Sequence, residues 1–233
     1  MTALERIDVG TVTLAVHARR PPAVPDPAGP APVLLLPGTG ATADDWDEVA
    51  ERLAHTRTVY AVDLRGHGKS DWPGTYSLAL MADDIAGLLD RLPEPRLDVV
   101  GHSLGGLVAC LATTRRPQHV RRLVLEDVGM PHPRPPATPR RPPDPLPFDW
   151  RVVEQVRPQI DDPDPAWPRL MRSISVPSLV IAGGPTSFVP EGHIAELVSM
   201  LSDAELRTVP AGHLVHRKEP EQFLAHLMAF LDS

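Results

Sequence analysis

Short apolar runs alternate with stretches of helical periodicity along most of this 233-residue chain. From Ile7 to Val16, apolar and polar side chains alternate with the two-residue period of a half-buried, antiparallel strand pair. Further strands are predicted at 33–36, 58–62, 97–100, 122–126, 178–181 and 205–209, and helices at 44–53, 78–92, 103–114, 194–201 and 220–231. Strands that alternate with helices in this way predict right-handed crossovers and a mostly parallel sheet with helices on both faces.

Two proline-rich stretches interrupt this pattern. Pro21 to Pro32 has the composition of a loop, and prolines between Pro131 and Pro168 are dense enough to exclude a long helix, with room for two turns at Trp150 to Val156. The second stretch also holds apolar side chains that a free linker would lack, namely Leu146, Phe148, Trp150 and Trp167. We therefore predict a single domain, residues 1–233, with a short lid inserted at 128–176.

Composition and charge narrow the classes of function. The net charge of −7 and the scattered arginine doublets offer no clustered basic face for nucleic acid. No apolar run approaches the ~20 residues that cross a bilayer, and Met1 to Gly10 has no secretory pattern, so we expect a cytoplasmic protein without a membrane span. The single cysteine, Cys110, lies among apolar helix residues and is expected to be a small core residue rather than a reactive thiol.

The segment Gly101-His102-Ser103-Leu104-Gly105-Gly106 is the strongest candidate for chemistry. It follows an apolar strand and opens an apolar helix, the context in which a Gly-x-Ser-x-Gly sequence forms a nucleophile elbow. Gly101 and Gly105 leave room on the sharp turn where side chains would collide. The start of the helix directs N–H groups at the reacting oxygen, which favours the anion formed in acyl transfer. Ser103 is therefore the predicted nucleophile.

Nearly the whole chain resembles the α/β-hydrolase family, whose motifs occur here in the expected order. Besides the elbow, Leu35 to Gly40 is similar to the family's oxyanion loop, although Pro37 replaces the usual histidine. Val62 to Ser70 is similar to the family's turn after the next strand, and Val209 to His213 to its catalytic-histidine segment. The resemblance implies an eight-stranded, mostly parallel sheet and the chain order serine, acid, histidine.

The serine needs a base, because a hydroxyl is a poor nucleophile until its proton is removed. The family motif selects His213 as the base for Ser103. Other histidines are less suited to this role: His216 lies three residues further on, and His102 and His67 belong to tight turns in which a structural role is expected.

The supporting acid departs from the common family pattern. Most members carry a carboxylate after the next-to-last strand, but Ala182 to Pro190 contains none. Glu126 and Asp127 instead follow the preceding strand, at the sheet edge where open α/β sheets bind ligands, and Glu191 is a more distant third candidate. This arrangement is similar to that of haloalkane dehalogenases with a glutamate after this strand. Neighbouring strand residues point to opposite faces, so we expect only one of the pair to reach His213. The resemblance to the dehalogenases favours Glu126, and Asp127 is the alternative acid.

Together these residues predict a serine hydrolase that cleaves a carboxylic ester, lactone or thioester of a small to medium apolar substrate through an acyl-enzyme. The backbone N–H groups of Leu104 and Thr39 are expected to hold the oxyanion, and neither a metal nor an organic cofactor is required. Ser103 argues against dehalogenase and epoxide-hydrolase activities, which use aspartate at the elbow. A lyase or carbon–carbon bond hydrolase with the same triad, and a non-catalytic small-molecule binder with a decayed triad, are the alternatives. A monomer and a homodimer are equally compatible with the sequence.

Overall fold

In the computed structural model, which describes residues 2–21 and 29–233, eight strands form one sheet. The strands are β1 (Thr2–Asp8), β2 (Thr13–Arg19), β3 (Val33–Leu36), β4 (Val59–Asp63), β5 (Leu97–His102), β6 (Val120–Glu126), β7 (Ser178–Ala182) and β8 (Ala204–Thr208). Their order in the sheet is β1-β2-β4-β3-β5-β6-β7-β8. Strand β2 is antiparallel to both β1 and β4, and every other neighbouring pair is parallel. The predicted sheet and its antiparallel edge are thus confirmed.

The helices are α1 (Asp47–Leu53), α2 (Leu78–Leu89), α3 (Leu104–Arg115), α4 (Arg151–Asp161), α5 (Trp167–Arg172), α6 (Glu191–Met200), α7 (Val215–Lys218) and α8 (Pro220–Leu231). The five helices that the periodicity predicts are present as α1, α2, α3, α6 and α8, and three more, α4, α5 and α7, occur besides them. None of these helices, within the part of the chain that the structure describes, is long and apolar enough to cross a bilayer. Most of the predicted loop from Pro21 to Pro32 lies outside the described residues.

Two apolar layers cover the two faces of the sheet. Side chains alternate along β3, so that Leu34 and Leu36 join the layer under α2 and α3, whereas Val33 and Leu35 join the layer under α1 and α8. All four side chains are fully buried, and each contributes roughly 2 kcal/mol of hydrophobic free energy relative to exposure. This two-sided burial explains why the central strands are short, continuous apolar runs.

The helix α3 packs its small side chains tightly against the sheet. Cys110 of α3 is buried without a disulfide partner, and burial raises the pKa of its thiol to about 12. A thiol with so high a pKa stays protonated and weakly nucleophilic at neutral pH. The cysteine therefore has the properties of the small core residue that the sequence predicts.

The proline-rich insertion between β6 and β7, residues 128–176, contains more helix than the sequence analysis predicts. Helix α4 runs for 11 residues and includes Pro158, so the prediction that no long helix forms here is wrong. The proline lies in the second half of α4 and removes one hydrogen bond, the one to the carbonyl of the exposed Glu154. Val152 and Val156 bury the opposite face of α4 and offset that loss.

Main-chain hydrogen bonds attach this insertion to the turn that follows β4. The N–H of Gly68 donates to the carbonyl of Pro147, and the N–H of Asp149 donates to the carbonyl of Gly66, both at 2.8 Å. The side chain of Phe148, between these contacts, stacks on the ring of His67 with 5.4 Å between ring centroids. The insertion is thereby held over the carboxyl ends of the strands.

Candidate active site

Ser103 occupies the sharp turn between β5 and α3. Its φ of 50° and ψ of −115° lie outside the regions that a serine normally adopts, so the turn holds the residue in a strained conformation. The turn also demands close backbone packing. A side chain at Gly101 would place its Cβ 2.5 Å from the carbonyl oxygen of Gly105, and one at Gly105 would lie 2.3 Å from that of Leu36. The geometry is that of the nucleophile elbow predicted from the sequence.

A cavity of about 1180 Å³ lies above the elbow, at the carboxyl ends of the strands. Ser103, His213 and Asp127 all line it. In the described residues, His213 Nδ1 is bonded to Asp127, and no hydrogen bond joins the Ser103 hydroxyl to the other ring nitrogen of His213. Catalytic hydrogen bonds are often long before substrate binds, so the shared cavity is the relevant observation.

Asp127, not Glu126, is the carboxylate in contact with His213. Its Oδ2 lies 2.7 Å from His213 Nδ1 and also accepts a hydrogen bond from the hydroxyl of Ser187. Its Oδ1 accepts the N–H of Gly183 at 2.8 Å. Burial opposes ionisation of Asp127, but the hydrogen bonds from His213, Ser187 and Gly183 outweigh it and lower the pKa of the carboxyl. Asp127 is therefore charged at neutral pH.

The expectation that Glu126 reaches His213 is wrong, because Glu126 is bound to a different histidine. Its Oε1 accepts the backbone N–H of His216 at 2.9 Å, and its Oε2 lies 2.7 Å from His216 Nδ1. As predicted, only one of the two neighbouring carboxylates reaches His213. Asp127 follows the last residue of β6 with a φ of 49°, and this left-handed conformation, which aspartate tolerates, accompanies its contact with His213. No feature of the local sequence distinguishes this outcome from the reverse one.

His216, three residues beyond His213, belongs to a buried network that the sequence did not predict. Its Nε2 lies 3.4 Å from Asp45 Oδ2, an ion-pair distance, and its ring stacks on Trp46 with 4.3 Å between centroids. Burial alone would lower the pKa of His216, but the charges of Glu126 and Asp45 raise it to about 9. The imidazolium thus joins β6, the segment after the oxyanion loop and the segment after His213.

His102 and His67 make structural contacts, in keeping with their positions in tight turns. The Nε2–H of His102 donates to the carbonyl of His213 at 2.8 Å, which attaches the catalytic-histidine segment to the elbow. The Nε2 of His67 accepts the N–H of Gly40 at 3.1 Å, while its Nδ1–H donates to the carbonyl of Arg65. Burial lowers the pKa of both imidazoles, so they are neutral at pH 7.

The two predicted oxyanion donors, the backbone N–H groups of Leu104 and Thr39, lie beside the elbow. Leu104 is the first residue of α3, so its N–H has no partner within the helix. Among the described residues, the N–H of Thr39 has no backbone or side-chain acceptor either, and both residues line the cavity. A Cβ at Gly38 would lie 2.7 Å from His102 Nδ1, so this close approach requires glycine. Both predicted donors thus border the cavity above Ser103.

Comparison with known proteins agrees with the fold. A family model described as the alpha/beta hydrolase fold matches residues 31–151, just over half of the chain, and the protein belongs to this family. The sn-1-specific diacylglycerol lipase ABHD11 of Mus musculus is 26% identical over 246 residues, which cover 85% of this chain and 80% of the lipase. The crystal structure of E-2-(acetamidomethylene)succinate hydrolase superposes with a TM-score of 0.83 over 100% of both chains, at 23% identity, a likeness of fold.

Another relative matches a shorter part of the chain at a higher sequence identity. Over 103 residues, the chain is 45% identical to an uncharacterized protein of Mycobacterium tuberculosis (strain ATCC 25618 / H37Rv). The match covers 44% of this chain and spans about 30% of the length of that relative. The chain thus belongs to the alpha/beta hydrolase fold family, and its relatives include lipases and other hydrolases.

Proposed function

We propose that this protein is a serine hydrolase that cleaves a carboxylic ester, lactone or thioester through an acyl-enzyme. The observation that carries the proposal is the 2.7 Å contact between Asp127 and His213, in the cavity that Ser103 also lines. A decayed triad is disfavoured, because a buried, charged carboxylate holds the imidazole. Membership of the α/β-hydrolase family supports the same chemistry.

In the proposed mechanism, Ser103 Oγ attacks the acyl carbonyl while His213 Nε2 accepts its proton. The Nδ1–H of His213 stays hydrogen-bonded to Asp127, whose negative charge stabilises the imidazolium. The N–H groups of Leu104 and Thr39 bind the developing oxyanion. The imidazolium then protonates the leaving group, and a water molecule activated by His213 hydrolyses the acyl-enzyme to regenerate Ser103.

We further propose that the insertion 128–176 is the lid that determines which substrates enter. It contributes one wall of the cavity, including Val152, Val156 and Ile160, and this wall is largely apolar. A volume of about 1180 Å³ exceeds the range typical of small-ligand pockets, which suits a medium-sized acyl chain. A cytoplasmic location stays a prediction of the sequence, which is equally compatible with a monomer and a homodimer.

The test is covalent labelling combined with an ester assay. Folded protein is incubated with a fluorophosphonate probe, and hydrolysis of p-nitrophenyl butyrate is followed in parallel. We expect labelling at Ser103 and loss of both signals in Ser103→Ala, whereas Ser199→Ala, a substitution on the exposed side of α6, keeps them. Full esterase activity in Ser103→Ala, or an unlabelled wild-type protein, would overturn the proposal.

A further inference from the structure

Two arginines of the insertion share a single carboxylate beside the cavity. The Nε of Arg134 lies 2.5 Å from Asp161 Oδ1, and the Nε of Arg157 lies 2.7 Å from the same oxygen. The backbone also connects these residues, since the N–H of Arg134 donates to the carbonyl of Asp161 at 2.9 Å. The carboxylate is buried and both arginines line the cavity that holds Ser103, so this is an ordered part of the cavity wall.

The guanidinium groups have unused hydrogen-bond donors. Each arginine contacts Asp161 through Nε, and the other carboxylate oxygen, Oδ2, accepts the backbone N–H of Ala137 at 3.2 Å. Within residues 2–21 and 29–233, neither arginine uses its two terminal nitrogens in a hydrogen bond. A guanidinium carries five N–H donors in a planar fork that matches a carboxylate. Two such forks are therefore available to a ligand.

The cluster of Arg134, Arg157 and Asp161 carries a net positive charge, and the nearby Glu196 is paired with His132 at 2.5 Å. Burial opposes ionisation of Asp161, but its hydrogen bonds to Arg134 and Arg157 outweigh burial and lower the pKa of the carboxyl. Two guanidinium ions and one carboxylate leave one net positive charge. At the oxyanion-loop side of the cavity the balance is the reverse, because Arg217 pairs with Asp45 at 2.6 Å and Asp44 lies nearby.

Apolar side chains border Arg157 on the cavity wall, while the side chains of Arg134 and Arg157 stay 45% and 36% exposed. Val153, Val156 and Ile160 line the cavity from the same helix, α4, as Arg157. Interactions between charges weaken less in such a setting than in bulk water. A few convergent polar groups in an apolar pocket are the usual means of orienting a small molecule.

From these observations we infer that the lid binds a carboxylate carried by the substrate at a distance from the bond that is cleaved. Arg134 and Arg157 supply the site, and the substrate class is an ester, lactone or thioester that bears a free carboxylate. The inference rests on the proposed function for the bond that is cleaved, but the binding of a carboxylate does not depend on catalysis.

The binding test uses Ser103→Ala protein and two matched acids, adipate and hexanoate, measured by isothermal titration calorimetry. Hydrogen bonds to charged groups contribute about 1.5–3 kcal/mol, so adipate should bind roughly tenfold or more tightly than hexanoate. In the Ser103→Ala background, Arg157→Gln should abolish the preference for adipate, whereas Arg157→Lys should retain part of it. The control is Arg169→Gln, a substitution of an exposed arginine of α5, which should leave the preference for adipate unchanged. Equal affinity for both acids, or a preference that survives Arg134→Gln and Arg157→Gln together, overturns the inference.

A kinetic test separates this inference from the proposed function. Wild-type protein and Arg157→Gln are compared on p-nitrophenyl hexanoate and on p-nitrophenyl hydrogen adipate. We expect Arg157→Gln to raise KM about tenfold for the anionic ester alone. An equal loss on both esters would show that Arg157 only supports the lid and would overturn the carboxylate site. If neither ester is cleaved while adipate still binds in an Arg157-dependent way, the proposed function fails and the carboxylate site stands.

Discussion

Replacing Asp127 with asparagine tests the acid of the proposed triad most directly. The carboxylate accepts three hydrogen bonds, from Gly183, Ser187 and His213. In Asp127→Asn, the amide oxygen can keep the bond to the N–H of Gly183, but the amide nitrogen then faces His213 and cannot accept from it. His213 must turn to the tautomer with its proton on Nε2, which leaves it unable to take the proton of Ser103.

The expected loss of kcat in Asp127→Asn follows from this change of tautomer together with the loss of the negative charge. The corresponding substitution in the serine-protease triad lowers kcat about 10⁴-fold with its geometry intact. We expect a similar loss here, which corresponds to roughly 5 kcal/mol of transition-state stabilisation. The carboxylate is buried and makes its three bonds to the β7–α6 loop and the histidine segment, so stability should fall as well.

The assay is steady-state hydrolysis of p-nitrophenyl butyrate, with Glu126→Gln as the matched control. Glu126 is an equally buried carboxylate one residue away, and it contacts His216 instead of His213. Glu126→Gln should lower the free energy of unfolding while kcat falls by less than about tenfold, because the bond to His213 is untouched. Comparable kcat values for Asp127→Asn and wild type, or a larger loss in Glu126→Gln, would refute the assignment of Asp127.

Two further predictions concern stability. The pKa of His216 is raised from 6.5 to about 9 in the folded state, so its contribution to stability is complete below pH 6.5 and is lost as pH rises through 9. The free energy of unfolding, measured with urea, should therefore decrease by up to roughly 3 kcal/mol between these pH values. A free energy that does not change with pH in this range would contradict the prediction. Gly105→Ala should cost about 3 kcal/mol or more or prevent folding, because its Cβ would lie 2.3 Å from a backbone oxygen. Gly192→Ala, with open space at the Cβ position in α6, should instead keep or raise the melting temperature.

Local patterns of sequence predicted the architecture and the nucleophile because each depends on short-range physics. A buried strand such as β3 is apolar at every position, and a helix such as α8 repeats its apolar residues with the helical period, so both are visible in the sequence. The elbow pattern is visible in the sequence because Gly101 is required by the backbone of Gly105 in the same turn, although Gly105 itself is required by Leu36 of the neighbouring strand β3. The helix in the insertion escaped prediction because burial of Val152 and Val156 outweighs the cost of Pro158.

The sequence by itself therefore determined the sheet, five of the helices around it, the elbow with Ser103 and the expectation that one of two neighbouring carboxylates meets the histidine. Only the tertiary structure decided that this carboxylate is Asp127, because Glu126 is bound to His216, a residue 90 positions away in the chain. It likewise brought Arg134 to Asp161, 27 residues apart, at the wall of the cavity. Contacts over such separations depend on how the packed elements meet, and no short-range periodicity or turn preference encodes them.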